Sequence, residues 1–231
     1  MNGVCYREIT LCDSQYLAQV IALYEATFAL AVREPSELFL KSLAHGMGAF
    51  PDAYHIHVAL DGEAQGNVIG FVTGHYFADV NVGFIVYLAI DPSYRRQGIG
   101  AQLLLQLEKS FEEDACAASF ETVRAIVFET EREDGAKSES EREDGQRRQR
   151  FFQAKGFVRR EEIDYRQPPL RVGDEKVPLY LWVKNRATNP INLEQWIAIV
   201  EAMYREKYHK INGIDPKLLQ AMMYDATMRR N

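Results

Sequence analysis

The sequence predicts a mixed α/β (α+β) fold: a mostly antiparallel sheet of six or seven strands, helices on both faces, and a C-terminal helical extension. Three observations lead there. Short β-branched and aromatic runs alternate with segments of helical period over residues 1–186. Runs at 54–60, 67–78 and 84–90 are separated by the turn signals Asp61-Gly62 and Asp79-Val80-Asn81, and read as an antiparallel meander. Beyond Asn189 the pattern is helical alone.

The stretch from Val82 to Phe111 organises the rest. Phe84 to Ile90 is a β-branched and aromatic run, too short for a membrane span and suited to a buried strand. Asp91-Pro92 stops it, and a loop with Arg95, Arg96, Gly98 and Gly100 leads to a helix with Leu104, Leu107, Glu108 and Phe111 at helical spacing. The first N–H groups of a helix lack internal partners, and the helix dipole adds partial positive charge there. Two glycines remove side chains that would keep a pyrophosphate from those N–H groups, and two arginines supply full charges. The alternative is a plain surface loop ahead of a helix.

The remaining elements follow in order. Val4 to Thr10 alternates as an opening strand; Asp13 or Ser14 can cap a helix from about Gln15 to Ala31, whose Leu17, Val20, Ile21, Tyr24 and Phe28 keep the helical period. Pro35 suits the first turn of a second helix, Glu37 to Ala44. His55, His57 and His75 lie on the meander strands, where half-exposed strand positions explain them as well as a catalytic role does. Thr122 to Phe128 is a fifth strand. At about 130–146 a charged, mobile surface insertion is expected, because Glu131-Arg-Glu-Asp-Gly135 recurs as Glu141-Arg-Glu-Asp-Gly145 and such a segment buries too little apolar area to offset its ordering entropy. Gln146 to Lys155 returns to helix, closed by Gly156. Phe157 to Tyr165 and Val177 to Asn185 are the last strands, separated by Gln167-Pro168-Pro169. Leu193, Trp196, Ile197, Val200 and Tyr204 then form an apolar stripe, and Asp215-Pro216 starts a final helix to about Met228. That stripe suits packing on the parent domain or on a second subunit as a homodimer; a helix pair reading DNA is the alternative.

A chain of 231 residues with 47% hydrophobic content can bury one ample core plus an appendage. A net charge of −6 disfavours a general nucleic-acid binder. Cys5, Cys12 and Cys116 have neither CxxC spacing nor histidine partners, so no disulfide framework and no metal site is expected. The N-terminal residues show no apolar signal core and nothing downstream has membrane-spanning length, so a soluble cytoplasmic protein is expected.

Arg95-Arg96-Gln97-Gly98-Ile99-Gly100 resembles the acyl-CoA pyrophosphate loop of the GNAT superfamily of N-acetyltransferases, Arg/Gln-x-x-Gly-x-Gly/Ala, and Tyr87 to Pro92 resembles the strand before it. Phe151-Phe152-Gln-Ala-Lys155-Gly156-Phe157 resembles the second signature of that family, Phe-Tyr-x-x-x-Gly-Phe. The resemblance covers residues 4–186, giving a GNAT-like domain over 1–186 and the extension over 187–231. It implies acetyl-CoA as co-substrate without a metal, held by the backbone of Leu88, Ala89 and Ile90, by Arg95, Arg96, Gln97, Gly98, Ile99, Gly100 and Ala101, and beside Phe152 and Lys155. It implies pantetheine entering between the strand ending at Ile90 and the strand from Thr122, with an amine acceptor near Arg33 and Glu34, unless those two only mark a solvated helix junction. Two departures matter: Phe84 and Phe152 stand where relatives carry a catalytic glutamate and tyrosine. Glu129 and Tyr165 are the substitutes expected to move protons. The expected activity is acetyl transfer to a primary amine of a small molecule or peptide; the competing classes are a non-catalytic acyl-CoA-binding module and a regulatory protein whose terminal helices bind a partner.

Overall fold

In the computed structural model, residues 3–62, 65–132, 138–161, 163–171 and 173–228 are described, and the chain forms two compact units, Met1–Val123 and Arg124–Asn231. The first contains β1 (Val4–Glu8), α1 (Ser14–Thr27), α2 (Glu37–Gly46), β2 (Ala53–Asp61), β3 (Val68–Phe77), β4 (Val82–Ile90) and α3 (Ile99–Ala117). Strands β1 to β4 are consecutive antiparallel neighbours, the meander that the alternation predicts. One face carries α1 and α2, with Leu17, Val20, Tyr24 and Phe39 packed on Ile56, Val58, Phe71 and Tyr87. The other carries α3, which lies so close that a Cβ on Gly74 or Gly83 would come within 3.0 Å of Phe111. Bare glycine backbone lets that helix seat.

Two local features here escape periodicity. Helix α1 ends at Thr27 rather than near Ala31, because Phe28 turns extended and a 3-10 turn, Leu30–Val32, follows. In β4 the register shifts between Thr73↔Tyr87 and Gly74↔Ile85, leaving Val86 as a bulge. A bulge puts two successive side chains on one face, and both Val86 and Tyr87 join the α1–α2 side of the core.

The second unit contains β5 (Ala125–Glu131), α4 (Glu139–Gln153), β6 (Val158–Arg160), β7 (Arg166–Gln167), β8 (Val177–Asn185), α5 (Leu193–Ala202) and α6 (Pro216–Met228). Strand β8 pairs antiparallel with β5, β6 and β7. The expected strand Phe157 to Tyr165 shortens to Val158–Arg160, and the two-residue strand Arg166–Gln167 just beyond it brings the described strands to eight rather than six or seven. On β5, Phe128 and Thr130 face the rings of α4 and Trp182, while Glu129 faces the segment after α5. That segment, Met203–Ile211, is π-helical.

The charged insertion needs correction over its second half. Ser138 caps α4 by accepting from the Glu141 N–H at 3.2 Å, so the helix takes in the second Glu-Arg-Glu-Asp-Gly copy. Arg142 pairs with Glu139, and Arg147 with Glu143 and Asp144. A cap and i,i+3 or i,i+4 pairs together outweigh the cost of about 1 kcal/mol for Gly145 inside a helix. Residues 133–137 lie outside the described residues.

Candidate active site

The glycine loop adopts a shape that only its sequence allows. Asp91 starts it by accepting from the Ser93 N–H at 2.8 Å while its own N–H donates to the Ile69 carbonyl at 2.9 Å. Arg96 and Gly98 then take φ of 63° and 81°, in the left-handed region. Gly98 is the N-cap of α3, no side chain caps that end, and a Cβ at 98 would meet nothing within 4 Å. Ile99 is buried and anchors the helix, whereas Arg95, Arg96 and Gln97 are exposed. The result is an open cradle of helix-end N–H groups flanked by two guanidinium groups, which fits a pyrophosphate in charge and in room.

Strand β4 leads into that cradle. Because the Asp91 N–H faces β3, strand alternation turns the Ala89 backbone to β3 as well and the Leu88 and Ile90 backbone to the opposite edge. Arg95 Nε donates to the Ile90 carbonyl at 3.4 Å from that side. Of the three residues expected to bond the cofactor through their backbone, Leu88 and Ile90 therefore turn it away from β3, and Ala89 turns it toward β3.

The structure separates Arg33 from Glu34. Arg33 Nη1 donates to the Glu25 carbonyl at 2.9 Å, capping the end of α1. Glu34 is 5% exposed, inside an aromatic nest. The Tyr24 hydroxyl donates to the Glu34 carbonyl at 3.0 Å and lies 3.2 Å from the Tyr87 hydroxyl, which reaches the Val32 carbonyl at 3.4 Å. Phe28 and Phe39 close the nest against the Tyr87 ring at centroid distances of 4.9 and 5.9 Å. Burial first, then the Glu34 charge, pushes the Tyr54 and Tyr87 phenols far above the ordinary tyrosine range.

In the second unit Glu129 and Tyr165 do come together, with two tyrosines that periodicity had given only a packing role or no role. Tyr208 donates to Glu129 Oε1 at 2.6 Å. Tyr204, one turn earlier, donates to the Arg166 carbonyl at 2.7 Å, and its ring lies 6.0 Å from those of both Tyr165 and Tyr208. Tyr165 is fully buried; that burial, followed by the Glu129 charge, holds its phenol well above the usual value. The i,i+4 spacing of Tyr204 and Tyr208 was the available signal, but nothing local ties either to Glu129.

Phe152 is used in packing, its ring 4.0 Å from Phe128 and 5.6 Å from Phe157. Lys155 sits in the turn that ends α4, where the Phe157 N–H returns to the Phe152 carbonyl at 3.1 Å and Gly156 takes φ of 85°. On the α3 face of the first unit, His55 bridges Glu8 and Asp114 at 2.7 Å each, and His57 contacts Ser110 Oγ at 2.9 Å. Ligand atoms of Glu8, His55 and His57 lie within 4.8 Å of one another, and both His55 nitrogens already have carboxylate partners. His75 is buried beside Tyr54 and Phe77.

With this geometry in place, the comparisons show what the chain is similar to. Residues 17–128 match the family described as "Acetyltransferase (GNAT) family". The chain carries a GNAT acetyltransferase domain. Among solved structures it is similar to a putative GNAT-family acetyltransferase from Bacteroides thetaiotaomicron, 25% identical, covering 91% of this chain and 99% of that one with a TM-score of 0.62. Arabidopsis thaliana NAA60 in complex with acetyl-CoA is similar at 16% identity, with 80% and 99% of the chains covered and a TM-score of 0.55. The ribosomal-protein-S18-alanine N-acetyltransferase from Escherichia coli is similar at 14% identity, 83% and 99% coverage and a TM-score of 0.51. No curated protein matches the chain. Among the described residues, no helix is long and apolar enough to cross a membrane.

Proposed function

We propose that this protein is an acetyl-CoA-dependent N-acetyltransferase that moves the acetyl group directly to a primary amine of a small molecule or peptide, with residues 1–186 as its catalytic domain. The observation that carries this reading is the open, uncapped N-terminus of α3 at left-handed Gly98, between Arg95, Arg96 and the start of a GNAT helix. Relatives support the amine: one is named for N-acetylating an alanine, and another is solved with acetyl-CoA.

Acetyl-CoA, when bound, supplies the acyl group as a thioester. Gly98, Ile99, Gly100 and Ala101 would bind its pyrophosphate through helix-end N–H groups, with Arg95, Arg96 and Gln97 around them. Leu88 and Ile90 would hold the pantetheine through the backbone they turn away from β3. Glu34 would attract an ammonium acceptor into the aromatic nest. Glu129 would take the proton that the amine loses as its nitrogen bonds to the acyl carbon. Tyr165 would return a proton to the departing thiolate. Phe152, whose ring is committed to packing, favours the second reading, a silent acyl-CoA binder.

Thiol release from acetyl-CoA across polyamines, amino acids, aminoglycosides and peptides with free N-termini separates the two. Acceptor-dependent release is expected. Tight calorimetric binding of acetyl-CoA with no release for any acceptor would establish the binder instead.

A further inference from the structure

The structure assigns Tyr208, from the π-helical segment beyond the GNAT-like region, as the positioning residue of the Glu129 carboxylate. This rests on the reading of Glu129 as proton acceptor and extends it to the C-terminal helices. Their role is then part of the chemistry.

The hydrogen bond is short, 2.6 Å, and its donor is 2% exposed. It joins residues 79 apart in sequence, so it exists only because Met203–Ile211 packs on the face of β5 that carries Glu129. π-helical turns are rare and cost hydrogen-bond geometry, and they recur at functional sites. Glu129 is half-buried, and the rings of Tyr165, Tyr204 and Tyr208 lie on its side of the strand. A phenol O–H donating to one carboxylate oxygen favours the charged form and fixes the rotation of the group. Tyr204 does not duplicate this role, since its hydroxyl donates to the Arg166 carbonyl. The device holds the Glu129 carboxylate in one orientation beside an aromatic wall.

The test is the pH profile of kcat/KM for Tyr208→Phe, with acetyl-CoA affinity by calorimetry as the control for folding. Removing a donor from the charged form raises the proton affinity of the carboxylate, so the acid limb moves to higher pH. The pH-independent kcat/KM should fall roughly 10- to 100-fold, with acetyl-CoA affinity unchanged. Glu129→Gln combined with Tyr208→Phe should be no slower than Glu129→Gln alone, because the two act as one unit. Should Tyr208→Phe fail to fold, a 3-fluorotyrosine at 208, a stronger donor of nearly equal shape, should move the acid limb to lower pH. A slow Glu129→Gln beside a Tyr208→Phe with wild-type rate and limb overturns the inference and spares the base assignment. A rate loss in Tyr208→Phe with an unmoved limb, or one additive with Glu129→Gln, also overturns it by showing a purely structural tyrosine. A Glu129→Gln enzyme as fast as wild type removes the base assignment and the inference with it.

Discussion

Each compact unit holds a glutamate among three tyrosines, and the two are held in different ways. Around Glu34, Tyr24 bonds the main-chain carbonyl and the Tyr24 and Tyr87 hydroxyls lie 3.2 Å apart, so these phenols fix where the chain runs. Around Glu129, Tyr208 bonds the carboxylate itself. A phenol on a carbonyl shapes a wall, whereas a phenol on a carboxylate sets a charge and an aim. The proposed division, attraction of the acceptor by Glu34 and proton transfer at Glu129, follows that difference and is open to test.

The largest effect should come from Glu129→Gln, which keeps the Tyr208 contact in shape but removes the proton acceptor. We expect kcat to fall by about 10²- to 10³-fold with acetyl-CoA affinity unchanged, in the range of general-base loss. Glu34→Gln, by contrast, should raise the acceptor KM and leave kcat nearly untouched. A kcat collapse in Glu34→Gln with a mild Glu129→Gln would reverse the comparison.

A third carboxylate environment tests what a full charge does in place of phenols. Burial alone would lower the His55 pKa, but the hydrogen bonds that its ring donates to the Asp114 and Glu8 carboxylates raise it to about 9 from 6.5. A raised folded-state pKa means stability fully present below pH 6.5 and lost as pH climbs through 9. The contribution is on the order of 2–3 kcal/mol. The gap in urea unfolding free energy between wild type and His55→Asn should therefore be wide at pH 6 and narrow at pH 9.5. A gap that stays constant with pH would show that the imidazole packs without its charge.

Gly98→Asp brings a like charge to the phosphate cradle and a side chain to φ of 81°. Calorimetry should show acetyl-CoA affinity reduced by about tenfold or more, roughly 1.4 kcal/mol, while the first-unit glutamate nest stays intact. Equal affinity would remove the loop from the cofactor site. The smallest effect belongs to Tyr24→Phe, which leaves the buried Glu34 carbonyl short of a donor. Stability should drop by about 1–2 kcal/mol with the acid limb of the rate profile unmoved. A moved limb would mean that this tyrosine also tunes a titrating group.

Much of this was legible in the sequence because it depends on neighbours in the chain. Strands β2 to β4 follow from β-branched and aromatic runs bounded by turn residues, buried almost continuously, and the cradle follows from a glycine that tolerates the left-handed region at the start of a helix. The second charged pentapeptide misled for the same reason: composition argued for an irregular segment, and a serine cap with three ion pairs made a helix. The bulge at Val86 was not legible, since one extra residue in a strand changes which face it presents without changing its composition.

By itself the sequence determined the strands β2 to β4 and the glycine and arginine loop at the start of α3, because each is written in a local pattern of residues. Only the tertiary structure decided that Arg33 caps a helix while Glu34 turns into an aromatic nest, and that Glu129 meets Tyr208 across 79 residues of chain. Side-chain partners are chosen by packing between elements distant in sequence, and no period within one element encodes them.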